Sequence, residues 1–142
     1  MVRNFLARTS LFRRYYGASF QDLLRKFDLT QLEVDILLFL RNNPEFNTAR
    51  DIVELRGFSK SNVSTSLEAL RLRQFLTVRP DPDSRRVRRI FLREEKRDVV
   101  EALVRRQQET LGRLTDGFSP EELAEMQRFL DRMEENIKHY GL

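Results

Sequence analysis

The residues whose types and spacing could do chemistry gather in the middle of the chain. Ser59 is followed by Lys60, Ser61, Asn62, Ser64, Thr65, Glu68 and Arg71, set between the apolar residues Val63, Leu67 and Leu70. The three-and-four spacing of that apolar set predicts a helix, capped by Ser59 and running to about Arg73, that buries one narrow stripe and leaves the polar residues outside. Ser, Thr and Asn are mediocre helix formers, and a purely structural surface would carry more Glu, Lys or Ala. Short hydroxyl and amide groups do suit close approach to phosphates and base edges in a DNA major groove, where bulk would hold a helix away. On its own, such a face also fits a plain solvated surface.

A second group follows at once. Phe75–Arg79 and Val87–Leu92 read as two strands joined by Pro80-Asp81-Pro82-Asp83-Ser84-Arg85-Arg86, a stretch rich in turn formers. The expected hairpin presents Arg85 and Arg86 at its tip, with Arg79 and Arg88 on its strands. An arginine on such a loop is attracted to the negative potential of a narrow minor groove. Asp81 and Asp83 could hold these arginines by bidentate pairing or could serve as turn formers, the simpler role for Asp81.

Charge agrees with this placement. The net charge of the chain is only +4, yet residues 60 to 93 hold nine Lys/Arg against three Asp/Glu, whereas 94 to 142 hold eight against twelve. Binding a polyanion depends on such a local excess, because counterions are released where phosphates are neutralised. Other chemistries find no residues. There is no cysteine, which removes disulfides, thiolate metal sites and thiol redox sensing, and the one histidine, His139, cannot form an imidazole metal cluster within a chain. No nucleophile-elbow, phosphate-loop or metal motif is present, so neither an enzyme nor a cofactor is expected. No apolar run approaches the ~20 residues that cross a bilayer, and a cytoplasmic protein is expected.

The remaining elements must position these two groups. Apolar residues from Phe5 to Phe27, including Phe12, Tyr16, Phe20, Leu23 and Leu24, follow helical spacing, with a possible break at Gly17. Thr30 and Glu33 form a capping box stapled by Leu29 and Val34, opening a helix so apolar that it should lie at the centre. A second capping pattern, Thr48 to Asp51, opens a short helix that ends at Gly57, so the helix after Ser59 completes a helix-turn-helix. Beyond Glu94 a long helix runs to Asp116-Gly117. Ser119-Pro120-Glu121-Glu122 then caps a final helix whose apolar residues Leu123, Met126, Leu130, Met133, Ile137 and Tyr140 repeat every 3.5 residues, the seam of a helix pair. That seam fits a partner in the same chain or in a second copy.

In order and length these elements resemble the MarR family over essentially the whole chain. The resemblance is densest in Leu29-Thr30-Gln31, in Phe58-Ser59-Lys60-Ser61-Asn62-Val63-Ser64 with Leu67, Leu70 and Leu76, and in Arg79 to Arg86 followed by the strand ending at Leu92. It implies a mainly α fold with a β-hairpin wing, as a single domain over 1–142. Within it, 30–93 would be the winged helix-turn-helix lobe and 1–28 with 94–142 a helical dimerisation region. It also implies a homodimer, double-stranded DNA as partner, and repression through a palindromic operator. Half-sites would lie about 10 base pairs apart. Ser59, Lys60, Ser61, Asn62, Ser64, Thr65 and Arg71 would contact DNA from the recognition helix. Arg79, Arg85, Arg86 and Arg88 would do so from the wing, with Arg86 favoured over Arg85 for the minor groove. The seam residues would lie between protomers, and a small-molecule effector could sit near Phe12, Tyr15, Tyr16 and Phe20, although aromatics at helical spacing are more often core. Three departures stand out: the aspartate partner of the wing arginine is ambiguous in register, Gln74-Phe75 replaces a glycine-leucine turn, and Arg93 and Lys96 replace a threonine and a glycine after the wing. The rival reading is a winged helix used only as a protein-interaction module.

Overall fold

The computed structural model describes residues 4–141; residues 1–3 and 142, the ends of the expected helical region, lie outside the described residues. The chain runs α1 (Phe5–Ala18), α2 (Gln21–Phe27), α3 (Gln31–Asn42), α4 (Ala49–Arg56), α5 (Lys60–Leu72), β1 (Leu76–Asp81), β2 (Ser84–Leu92), a 3₁₀ turn (Glu94–Lys96), α6 (Arg97–Leu114) and α7 (Pro120–Tyr140). This is a mainly α fold carrying one two-stranded antiparallel hairpin, as expected. It divides into two compact units, Met1–Gln107 and Gln108–Leu142.

In the first unit, α3 is the centre. Thr30 Oγ1 accepts from Glu33 N (3.1 Å) and Glu33 Oε1 from Thr30 N (3.0 Å), so the capping box satisfies two helix-end donors reciprocally. Val34, Ile36, Leu37, Leu38, Phe39 and Leu40 are all buried, covering most faces of the helix. Ile52 of α4, Val63 and Leu70 of α5, Phe75, Leu76 and Ile90 of the hairpin, and Val100 and Leu103 of α6 belong to the same core. Burying each such side chain is worth about 1.5–3 kcal/mol, so the helix-turn-helix and the hairpin are held as one body.

Two local features differ from the sequence reading. The first helical segment breaks at Ser19-Phe20 rather than at Gly17, which stays helical. Ser19 Oγ donates to Tyr16 O (2.6 Å) and Phe20 N to Gly17 O (3.2 Å), and the break lets Phe20 turn fully into the core. The strands of the hairpin are longer than expected: the regular register runs from Leu76 opposite Leu92 to Pro80 opposite Arg88, then shifts so that Asp81 lies opposite Ser84 and residues 85–87 bulge out of the ladder. Pro80 is accommodated because β1 pairs on one side only, so its missing N–H breaks no central ladder. Gln74 occupies a left-handed backbone (φ 62°), a conformation that glycine adopts at no steric cost. Its neighbour Phe75 is buried and donates its N–H to Leu70 O (3.0 Å), which fixes how β1 leaves α5.

In the second unit, Ser119 Oγ accepts from Glu122 N (3.1 Å) and Glu122 Oε2 from Ser119 N (2.8 Å), the expected capping box, with Pro120 at the first helical position.

Candidate nucleic-acid interface

The reading face of α5 is set by its start and by its buried stripe. Ser59 Oγ accepts from Asn62 N (3.2 Å), fixing the first turn, while the Gly57 backbone (φ 67°) makes the tight corner between α4 and α5. Val63 and Leu70 face the core and Leu67 is half-buried. That orientation leaves Ser59, Lys60, Ser61, Asn62, Ser64, Thr65 and Arg71 all exposed on the outer side. Within this face, Thr65 Oγ1 donates to Ser61 O (3.0 Å), so Thr65 presents its methyl group and an acceptor outward. Arg71 is held by Glu68 through two hydrogen bonds, Nε to Oε2 (2.9 Å) and Nη2 to Oε1 (2.7 Å). The guanidinium hydrogen bond lowers the Glu68 pKa and keeps the carboxylate ionised at neutral pH. Beside this stripe a cleft of about 720 Å³ opens between α4, α5 and β1, floored by Val53, Val63, Leu67 and Val78.

The wing is held by Asp81 beside its turn and by Asn47 on its flank. Asp81 Oδ1 accepts from Asp83 N (2.8 Å), closing the turn, and Asp81 Oδ2 accepts from Arg89 Nε (2.8 Å). Arg89 Nη1 continues to Asn47 Oδ1 (3.1 Å), and Ile90 N donates to Asn47 O (2.8 Å). Asn47 is buried and joins β2 to the loop before α4. The Arg89 hydrogen bond, with that from Asp83 N, holds the Asp81 carboxyl below its ordinary range. The aspartate–arginine pair of the wing is therefore Asp81 with Arg89. Neither Asp81 nor Asp83 holds Arg85 or Arg86, because the observed register places Arg89 across from Arg79 and beside the turn.

This arrangement frees the other wing cations. Arg85, Arg86 and Arg88 are exposed, and among the described residues none has a carboxylate within 4.0 Å. Arg79 lies over the ring of Phe91, 5.0 Å from its centroid, which steadies it by a cation–π contact. Sequence reasoning missed Asn47, Arg89 and the role of Glu68. It also missed Arg73, whose guanidinium donates to Phe27 O (2.8 Å) and to Asp28 O and ties the end of α5 to the end of α2. Apart from the Glu68–Arg71 spacing, no local pattern could have revealed these partners.

The two remaining groups of expected residues are placed as follows. Phe20 belongs to the core; Tyr16 is half-buried, 5.1 Å from Phe20 and 6.0 Å from Phe12 between ring centroids, and its hydroxyl accepts from Gln107 Nε2 (2.9 Å). Burial raises the Tyr16 pKa. Tyr15 is half-buried and Phe12 exposed. On α7, Leu123 is half-buried, whereas Met126, Leu130, Met133, Ile137 and Tyr140 are between 39% and 83% exposed. Among the described residues no helix is long and apolar enough to cross a membrane.

No curated protein matches the sequence. The model of the MarR family matches residues 27–87, which run from the end of α2 into β2. Among solved structures, a MarR family transcriptional regulator from Silicibacter pomeroyi is 16% identical with a TM-score of 0.82, covering 100% of this chain and 96% of its own. BpsR of Bordetella bronchiseptica, whose DNA binding is regulated by 6-hydroxynicotinic acid, is 25% identical with a TM-score of 0.69, covering 94% and 93%. MepR of S. aureus, solved as a DNA complex, is 22% identical with a TM-score of 0.76, covering 94% and 95%. With the family model matching the helix-turn-helix and the first part of the wing, and the fold shared along the chain with MarR regulators, the chain is similar to the MarR family.

Proposed function

We propose that this protein is a sequence-specific, double-stranded-DNA-binding transcription regulator that works as a homodimer, represses from a palindromic operator and is released by a small-molecule effector. The observation that carries the reading is the pairing, on one lobe, of a recognition helix with a small polar outer face and a wing whose Arg85, Arg86 and Arg88 have no carboxylate partner among the described residues. Ser61, Asn62, Ser64 and Thr65 would meet bases or phosphates in the major groove, with Ser59 at the cap and Lys60 on the backbone. Arg86 or Arg85 would enter the minor groove, supported by Arg79 and Arg88. The exposed apolar seam of α7 supports a second copy as its cover, since such a stripe is costly to leave in water and two-fold pairing is the commonest way to bury it. BpsR's response to 6-hydroxynicotinic acid supports an effector for this chain, with Phe12, Tyr15, Tyr16 and Phe20 as the proposed neighbourhood. Regulators of this family are not enzymes in general.

Selection of tight-binding fragments from random duplexes tests the proposal. A palindromic motif with half-sites about 10 base pairs apart is the expected result. Binding that ignores both sequence and salt would leave the helix-turn-helix as a protein-interaction surface.

A further inference from the structure

Glu68 is out of place on a surface turned towards a polyanion. It sits on the exposed stripe that includes Lys60, Ser64 and Arg71, the stripe where the proposed function puts the duplex, and an unpaired carboxylate there would be repelled by phosphates. Its geometry resolves the conflict. Both carboxylate oxygens take the side edge of the Arg71 guanidinium, Nε and one N–H of Nη2. A guanidinium has five N–H donors in a rigid plane, so three remain, and two of these, one on Nη1 and the outer one on Nη2, form a second parallel fork on the end edge. The pair is neutral as a whole, which cancels the long-range pull that would send Arg71 to a phosphate. What is left is a fork with directional donors and no net charge, and that matches the O6 and N7 acceptors of guanine in the major groove. Both side chains are about half exposed, 47% for Arg71 and 57% for Glu68, so the pair sits at the surface rather than in the core.

We infer that Glu68 is a positioning residue that holds Arg71 as a guanine reader, and that this pair specifies one G·C base pair in each half-site. The inference rests on the DNA-binding reading above and replaces the backbone role otherwise natural for a recognition-helix arginine.

The test compares duplex selections by the full chain and by its Arg71→Gln and Glu68→Ala variants, with salt titrations on the selected site. Both substitutions are at exposed positions, and circular dichroism checks that the fold is kept. Wild type should select a G at one position of each half-site. Arg71→Gln should move that preference from G towards A, because a carboxamide matches adenine, and should change discrimination there about tenfold or more while leaving other positions alone. Glu68→Ala should weaken the same preference, tighten binding to random duplex, and steepen the salt dependence by about 0.9 log units per log unit of salt for each freed arginine. An unchanged motif with Arg71→Gln, or uniform weakening across all sequences, overturns the inference while the DNA-binding reading stands. Absence of any motif for wild type overturns both.

Discussion

Changing Arg85 and Arg86 to Ala separates a DNA-binding wing from a decorative one, and the structure sets the size of the effect. Each arginine is exposed and free of carboxylate partners among the described residues, so its whole charge is available to phosphates. Arg89, by contrast, is already neutralised by Asp81 and should contribute little to salt dependence. A homodimer brings two wings, hence four such cations, and each neutralised phosphate contributes about 0.9 to the slope of log affinity against log salt. The double substitution should therefore lower the slope by about 3–4. Extrapolated to 50 mM and 200 mM salt, this means wild type loses about two more orders of magnitude in affinity than the variant over that interval. Fluorescence anisotropy with a labelled operator duplex, titrated at four or five salt concentrations, reads both slope and affinity. A variant whose slope matches wild type would refute the assignment of these arginines to the DNA, whatever happens to affinity at one salt concentration.

Three further outcomes follow from the same structure. Asn47→Ala should loosen β2 against the loop before α4, since it removes the carboxamide acceptor of Arg89 and keeps only the backbone bond from Ile90; hydrogen exchange at the hairpin amides should quicken while amides of α3 keep their protection, and equal quickening of both would show that the wing is not a separate local unit. The Arg106 hydrogen bonds lower the Asp22 pKa to about 2, so the pair contributes stability in full above the ordinary aspartate range and loses it as pH falls from about 4 towards about 2. Urea unfolding of wild type and Asp22→Asn should accordingly differ at neutral pH and converge near pH 2, and a gap that persists there would assign the effect to something other than ionisation. Met133→Glu with Ile137→Glu puts two carboxylates on the exposed seam of α7; sedimentation should show monomers where wild type shows dimers, with the helix content of the fold retained, and an unchanged mass would place the dimer elsewhere.

Much of this fold was legible because its signals are short. The capping boxes at Thr30, Thr48 and Ser119, the Ser59 cap and the left-handed Gly57 all involve residues within four positions of one another, so their chemistry is contained in a few adjacent side chains. The buried stripe of α5 follows in the same way from the helical repeat, and with it the exposure of Ser61, Asn62, Ser64 and Thr65. The first helix boundary was misplaced because Gly17 offers a break without requiring one; the core's need for Phe20 decided it. The expected turn from Pro80 to Arg86 coincides largely with the irregular end of the hairpin, where the register shifts after Pro80, a shift that no local signal specifies; the edge strand tolerates the proline, and the Asp81 side chain closes the turn.

The arginines mark the limit of the sequence most clearly. By itself the sequence determined how many there are, that they gather between residues 60 and 93, and which helix face and hairpin carry them. Only the tertiary structure decided their partners: Arg89 reaches Asn47 across 42 positions, Arg73 the carbonyls of Phe27 and Asp28 across 46 and 45, and Arg106 the carboxylate of Asp22 across 84. Every guanidinium offers the same fork, so its role is set by whichever acceptor the packed chain brings within reach, and that proximity is a property of register and packing rather than of neighbouring residues.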